Sequence, residues 1–197
     1  MSLVEMIACA DEGALAASGL ACLDRCLPLL GGRDDTLRPL WAALDAGADW
    51  SVPLAKLRAE LGVSGVRSTA RPTAGGGDGT LTMAVELVRS AWATAPQDRT
   101  GAGLREWADG CSSTAVLVHR CLDLADGDVP PEELRRGAEP VGVGPLLAGE
   151  LRRQGRILEV LADPEGAGNG LRRTVGISAE GRRILRAAAA RRARTSG

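Results

Sequence analysis

Leucines near the start of the chain recur at helical intervals. Leu20, Leu23, Leu27 and Leu30 are separated by three and four residues, and Leu15, Cys22, Cys26 and Leu29 form an adjoining apolar stripe. At 3.6 residues per turn the combined arc covers about half the circumference, which predicts a helix buried between two neighbours. Ser2 and Glu5 have capping-box spacing, so a helix starts at Leu3. That helix, or a second one opening at Asp11, runs to about Leu30, with Pro28 placed to bend it and Gly31 and Gly32 to end it. A third helix from Asp34 or Asp35 presents Leu37, Leu40, Trp41 and Leu44. A fourth, capped by Ser51 and accepting Pro53 in its first turn, presents Leu54, Leu57 and Leu61 before Gly62.

The pattern stops across residues 63–79, where Gly75-Gly-Gly-Asp-Gly lies, and a flexible glycine-rich connector is expected between an N-terminal helical part (1–62) and a C-terminal one (80–197). Leu81, Val85, Val88 and Trp92 then mark one helical face, stopped by Pro96. Leu104, Trp107, Cys111, Thr114, Val118, Cys121 and Ala125 alternate by three and four, the most sustained period in the chain, with Gly110 a point where the helix could split. Residues 126–144 read as loop around a short helix at Glu132–Arg136. Pro145 opens a helix carrying Leu147, Leu151, Leu158 and Leu161 that ends before Asp163-Pro164. One short strand is expected at Thr174–Ile177. Ser178 then caps a last helix with Ile184, Leu185 and Ala188 inward and Arg182, Arg183 and Arg186 opposite. The expected fold is all-α, an irregular bundle of about six to eight helices.

Composition adds the setting. A chain of 197 residues with 45% hydrophobic and 25% charged residues can bury one sizeable core. The 26 glycines, the absence of Phe and Tyr, and a single lysine (Lys56) among 24 basic residues suggest the coding bias of a GC-rich bacterium. Glu5, Asp11 and Glu12 interrupt any leader-like apolar stretch, so a cytoplasmic location is expected. Five cysteines (Cys9, Cys22, Cys26, Cys111, Cys121) without such a leader predict reduced, mostly buried thiols. Residues 150–197 carry 11 arginines against 5 acidic groups, whereas residues 1–149 carry 13 basic against 20 acidic. The basic end is either a contact surface for an acidic partner or folds back onto the acidic remainder.

The chemistry available is sparse. His119 is the one histidine, which rules out a site needing two imidazoles from one chain; a P-loop is missing, and so is every tyrosine. His119 could serve Cys111, Cys121 or a serine as a base, but the apolar seam leaves it at the side with Asp123 one turn on, and a surface His-Asp pair is expected. Cys22, Cys26, His119 and Cys121 could form a zinc site if their helices met; core packing of the thiols is the preferred reading. Gly75–Thr80 ahead of a helix could cradle a phosphate but is read as linker. Trp41, Trp92 and Trp107 are expected as core anchors, and Trp50 as a staple or a contact residue.

Pro131–Arg136, then Pro145–Arg156, then Asp163-Pro-Glu followed by Thr-Val-Gly-Ile-Ser-Ala-Glu-Gly-Arg-Arg-Ile-Leu resemble a winged helix-turn-helix. Residues 129–186 look somewhat like the wing and closing helix of multiple-antibiotic-resistance-type transcription regulators, which implies DNA binding through residues 129–194. Where such regulators read bases with polar side chains, this chain has Val141-Gly-Val-Gly-Pro145. Phosphate contact alone would give sequence-independent binding.

The leading expectation is therefore a non-enzymatic interaction or regulatory protein without cofactor, docking another protein or itself. A winged-helix-like DNA-binding regulator and a metal-binding helical protein are the alternatives. Candidate partner or phosphate contacts are Arg172, Arg173, Arg182, Arg183, Arg186, Arg191 and Arg192.

Overall fold

A computed structural model describes residues 1–63, 76–123, 129–163 and 169–195. Among them the chain forms nine α-helices and no strand: α1 (Leu3–Cys9), α2 (Glu12–Cys26), α3 (Arg38–Asp45), α4 (Ser51–Glu60), α5 (Gly76–Ala93), α6 (Gly101–Leu122), α7 (Pro131–Arg135), α8 (Pro145–Ala162) and α9 (Gly170–Thr195). The all-α class is as the spacing predicts.

The capping box forms as expected, with Ser2 Oγ accepting from Glu5 N and the Glu5 carboxylate accepting from Ser2 N. Asp11 caps α2 by accepting from Ala14 N at 2.7 Å. Because Pro28 has no N–H to extend the ladder, α2 gives way at Leu27 to a 3₁₀ turn, Leu27–Leu30, closed by left-handed Gly31 at φ 70°. Ser51 is not the cap of α4. It is the first helical residue, held by Asp49, whose carboxylate accepts from both its N–H and its hydroxyl.

α2 is the axis of the bundle. Residues Ala14–Cys26 are buried without interruption, including Ser18, Asp24 and Arg25, and α6, α8 and α9 pack around it. Glu12–Leu30 is long and apolar enough to cross a membrane by length and composition, but 78% of that window lies inside the protein. The absence of a side chain at Gly19 lets α6 approach: a Cβ there would lie 2.6 Å from the Trp107 ring. Trp107 in turn meets Trp50 edge-to-face at 5.5 Å. All four tryptophans are buried, so Trp50 belongs with the anchors; its indole N–H donates to the Pro96 and Gln97 carbonyls. One apolar cluster runs from Leu3 to Ala188, so the helices before and after residues 63–79 share a core. Residues 64–75 lie outside the described residues, and Gly76–Thr80, read as linker, begin α5.

Three expected faces are corrected. On α5 the buried residues are Ala84, Val88, Ala91 and Trp92, with Leu81 and Val85 only half-buried. α6 passes through Gly110 unbroken; Leu104, Trp107, Cys111 and Val118 of the expected seam are buried, but Ala108, Ser112, Ala115, His119 and Leu122 turn inward with them, Thr114 and Cys121 are only half-buried, and Ala125 lies outside the described residues. The expected strand Thr174–Ile177 and the expected Ser178 cap are both interior to α9. Thr174 and Ser178 are buried there, and the Thr174 hydroxyl returns to the Gly170 carbonyl at 2.9 Å. Of the segment likened to a wing, Gly170–Ile177 is thus helical, and residues 164–168 lie outside the described residues.

Candidate functional site

The polar residues that the corrected seam turns inward meet at one place. Arg25 from α2 forms a two-pronged pair with Glu150 from α8, Nε to Oε2 at 2.8 Å and Nη2 to Oε1 at 2.6 Å, with both side chains fully buried. A third guanidinium N–H donates to the Ala21 carbonyl at 2.8 Å, and Nη2 also reaches Cys22 Sγ at 3.4 Å. Gln154, one turn along α8, donates to Glu150 Oε1 at 2.9 Å and accepts from the Ser112 hydroxyl at 2.6 Å. Arg135 of α7 donates to Ser112 Oγ at 3.0 Å and to Glu132 at 2.7 Å, and pairs with Asp109. Each buried charge here has a partner, as a low-dielectric interior demands.

His119 belongs to this centre, which corrects the surface His-Asp reading. It is fully buried; Nδ1–H donates to the Ala115 carbonyl at 2.7 Å, and Nε2, which has no hydrogen-bond partner, lies 3.4 Å from Glu150 Oε2. Asp123 instead accepts from Leu147 N at 2.9 Å at the start of α8. Burial pushes the His119 imidazole below its ordinary range against the pull of Glu150. Burial would raise Glu150, but Arg25, His119 and the hydrogen bonds outweigh it and hold the carboxyl at about 2.

Both shifts have one sign for stability. The unfolded chain takes up protons at His119 below about pH 6.5 and at Glu150 below about 4.5, while the native chain resists both, so stability is expected to fall on acidification from pH 7. Asp24, raised by burial despite Arg182, acts oppositely at the acid end. His119→Gln should flatten the stability curve between pH 7 and 5 in urea unfolding; an unchanged slope would assign that dependence elsewhere.

Chemistry at this centre is confined. The adjoining cavity, lined by Ser18, Cys22, Arg25, Ser112 and Gln154 with Ile7, Ala108, Ile157 and Leu158, has a volume of about 10 Å³, the room of one water molecule. Burial pushes the Cys22 thiol up to about 11, and those of Cys26 and Cys111 well above their ordinary value, so burial keeps these thiols in the protonated form at neutral pH. Cys22, Cys26 and His119 are buried and Cys121 is half-buried; no group of three or more metal-ligating side chains among the described residues is placed to hold an ion. Neither Arg25 nor Glu150 was singled out from sequence. The one available signal was their opposite charge within long apolar helices.

The basic residues divide. Arg182 turns inward onto Asp24 and, with Arg186, onto Asp34, whose carboxyl Arg186 holds below its ordinary range. Arg192 is half-buried and donates to the Asp123 carbonyl at 3.4 Å. Arg172, Arg173, Arg183 and Arg191 are exposed. Part of the basic end therefore folds back onto acidic groups.

A surface depression of about 780 Å³ lies between α5 and α6 and reaches α7. Leu87, Ala91, Pro96, Trp107 and Cys111 supply its apolar lining, and Glu106, Asp109 and Glu132 its acids. The Arg135 side chain beneath is 1% exposed, whereas those of Asp109 and Glu132 are 45% and 43% exposed, so the groove presents carboxylates to solvent and keeps their counter-charge inside. No protein-family model, curated protein or solved structure matches this chain.

Proposed function

We propose that this chain is a non-enzymatic interaction protein of a GC-rich bacterium, and that the α5–α6 groove receives a basic segment of a partner protein. The observation that carries this reading is the groove itself, an apolar floor with an acidic rim on a chain whose buried charges are enclosed around a one-water cavity. Exposed carboxylates above an apolar floor suit a segment with arginine or lysine flanking small apolar residues.

Gly110 supports the reading. It sits exposed in the middle of α6, with negative φ, and a Cβ built on it would meet nothing within 4 Å. Packing does not require glycine there, and Gly110→Ala is expected to raise stability by about 0.5–1 kcal/mol, read by thermal unfolding. Space above the helix is what glycine preserves.

The functional test places a photo-crosslinking residue at Thr114, in the groove, in the source cells. One dominant partner is expected, joined through a basic segment, with the adduct reduced at least tenfold by Gly110→Leu or Glu106→Arg. Adducts only between copies of this chain, or adducts indifferent to both changes, would count against the proposal.

A further inference from the structure

α9 presents a second surface of opposite sign. Its 26 residues carry eight arginines and one carboxylate, Glu180. The side that packs holds Thr174, Ser178, Arg182, Leu185 and Ala188, whereas Arg172, Arg173, Arg183 and Arg194 are exposed. Arg172, Arg183 and Arg194 are eleven residues apart, which is three turns plus about 20°, so they fall on one line spanning roughly 33 Å. None of these four arginines forms an ion pair among the described residues, in contrast to Arg182 and Arg186 beside them. Gly176, Ala179, Ala187 and Ala190 lie between them on the same side, leaving little bulk to hold a partner away, with exposed Glu180 at the edge toward Arg173.

We propose that this line of arginines binds the phosphate backbone of duplex nucleic acid without regard to sequence. A straight row of fixed positive charges about 33 Å long matches one turn of a duplex, about 34 Å. The row carries no asparagine or glutamine to read base edges, and all four tryptophans are buried, so the stacking that retains single strands has no platform. Anionic lipid would attract the same charges, but the apolar face of α9 that would add insertion to that attraction is spent on α2 and α8, and vesicles are therefore an arm of the test. The contact needs no wing, and it is separate from the groove, so either reading can fail alone.

The test is fluorescence anisotropy of a labelled 30-base-pair duplex titrated with the full chain across a salt series. Phosphate contacts from the three arginines of the line, with Arg173 flanking one end of it, predict a slope of log K against log salt of about −3 to −4. Changing Arg172, Arg173, Arg183 and Arg194 together to glutamine should weaken binding at least tenfold at about 20 mM salt and flatten the slope, while the same four changed to lysine keep both, because phosphate contact needs charge. Being exposed, the four changes should leave the melting temperature unchanged, and Arg33→Gln, an exposed arginine off the row, should leave binding unchanged. No binding at about 20 mM salt would overturn the proposal. So would a glutamine variant that binds like the parent, or tighter binding to a single strand, to anionic vesicles or to polyglutamate than to the duplex.

Discussion

Arg25→Met is expected to destabilise the protein by about 3–5 kcal/mol, and adding Glu150→Leu to recover most of that loss. The single change leaves a fully buried carboxylate facing a thioether where two charge-assisted hydrogen bonds had been, with only Gln154 and the unpartnered His119 nitrogen nearby. The double change removes both ions and with them the cost of keeping charge from water. Urea unfolding of the parent, each single variant and the double variant gives the coupling directly. A loss below about 1 kcal/mol for Arg25→Met, or a double variant no better than the singles, would show that water reaches this centre. The same comparison separates a structural ion pair from a reactive one, because nothing beyond stability should change.

Trp107→Ala should be comparably damaging, costing about 3–5 kcal/mol in unfolding experiments. Its ring fills the space that Gly19 leaves between α2 and α6, meets Trp50 edge-to-face, and donates its N–H to the Ala91 carbonyl at 3.0 Å. Gly19→Ala presses a methyl to 2.6 Å from a rigid ring and is expected to cost about 1–3 kcal/mol in the parent. In the Trp107→Ala background that penalty should vanish, since the added methyl then enters vacated space. Independent, additive losses would mean that the crossing of α2 and α6 is set by other contacts. Trp107 also floors the groove, so the truncation should reduce groove adducts together with stability, whereas Gly110→Leu is expected to reduce them at least tenfold without loss of stability.

These experiments bear on what could be read at each level. The strengths of the sequence were local: Ser2 and Glu5 cap α1, Asp11 opens α2, Gly31 closes the turn that follows it, Pro145 opens α8, and leucine spacing marks helices throughout; that Pro28 ends α2 rather than bending it was not read. Capping and periodicity depend on neighbours a few residues away, so they survive without knowledge of the fold. Reading failed where a helix interior was polar. Thr174-Val-Gly-Ile177 has the β-branched and glycine content of a strand end, yet Leu185 and Ala188 beyond it and Leu171 before it pack on the same bundle, and tertiary contact carries the helix through.

The candidate centre was least legible for the same reason. Polar residues on a helix are assigned to solvent by default, as His119 is from sequence, and nothing local marks Arg25, Glu150 or Gln154 as buried. Their burial is stable only because three helices, α2, α6 and α8, bring complementary groups close together, and no one of them could go inside alone. The sequence by itself determined that the chain is helical, where most helices start and stop, and how few reactive groups it has. Only the tertiary structure decided which charges face inward, which arginines of α9 stay in solvent, and that α5 and α6 leave an acid-rimmed groove, because burial and pairing are properties of residues far apart in the chain.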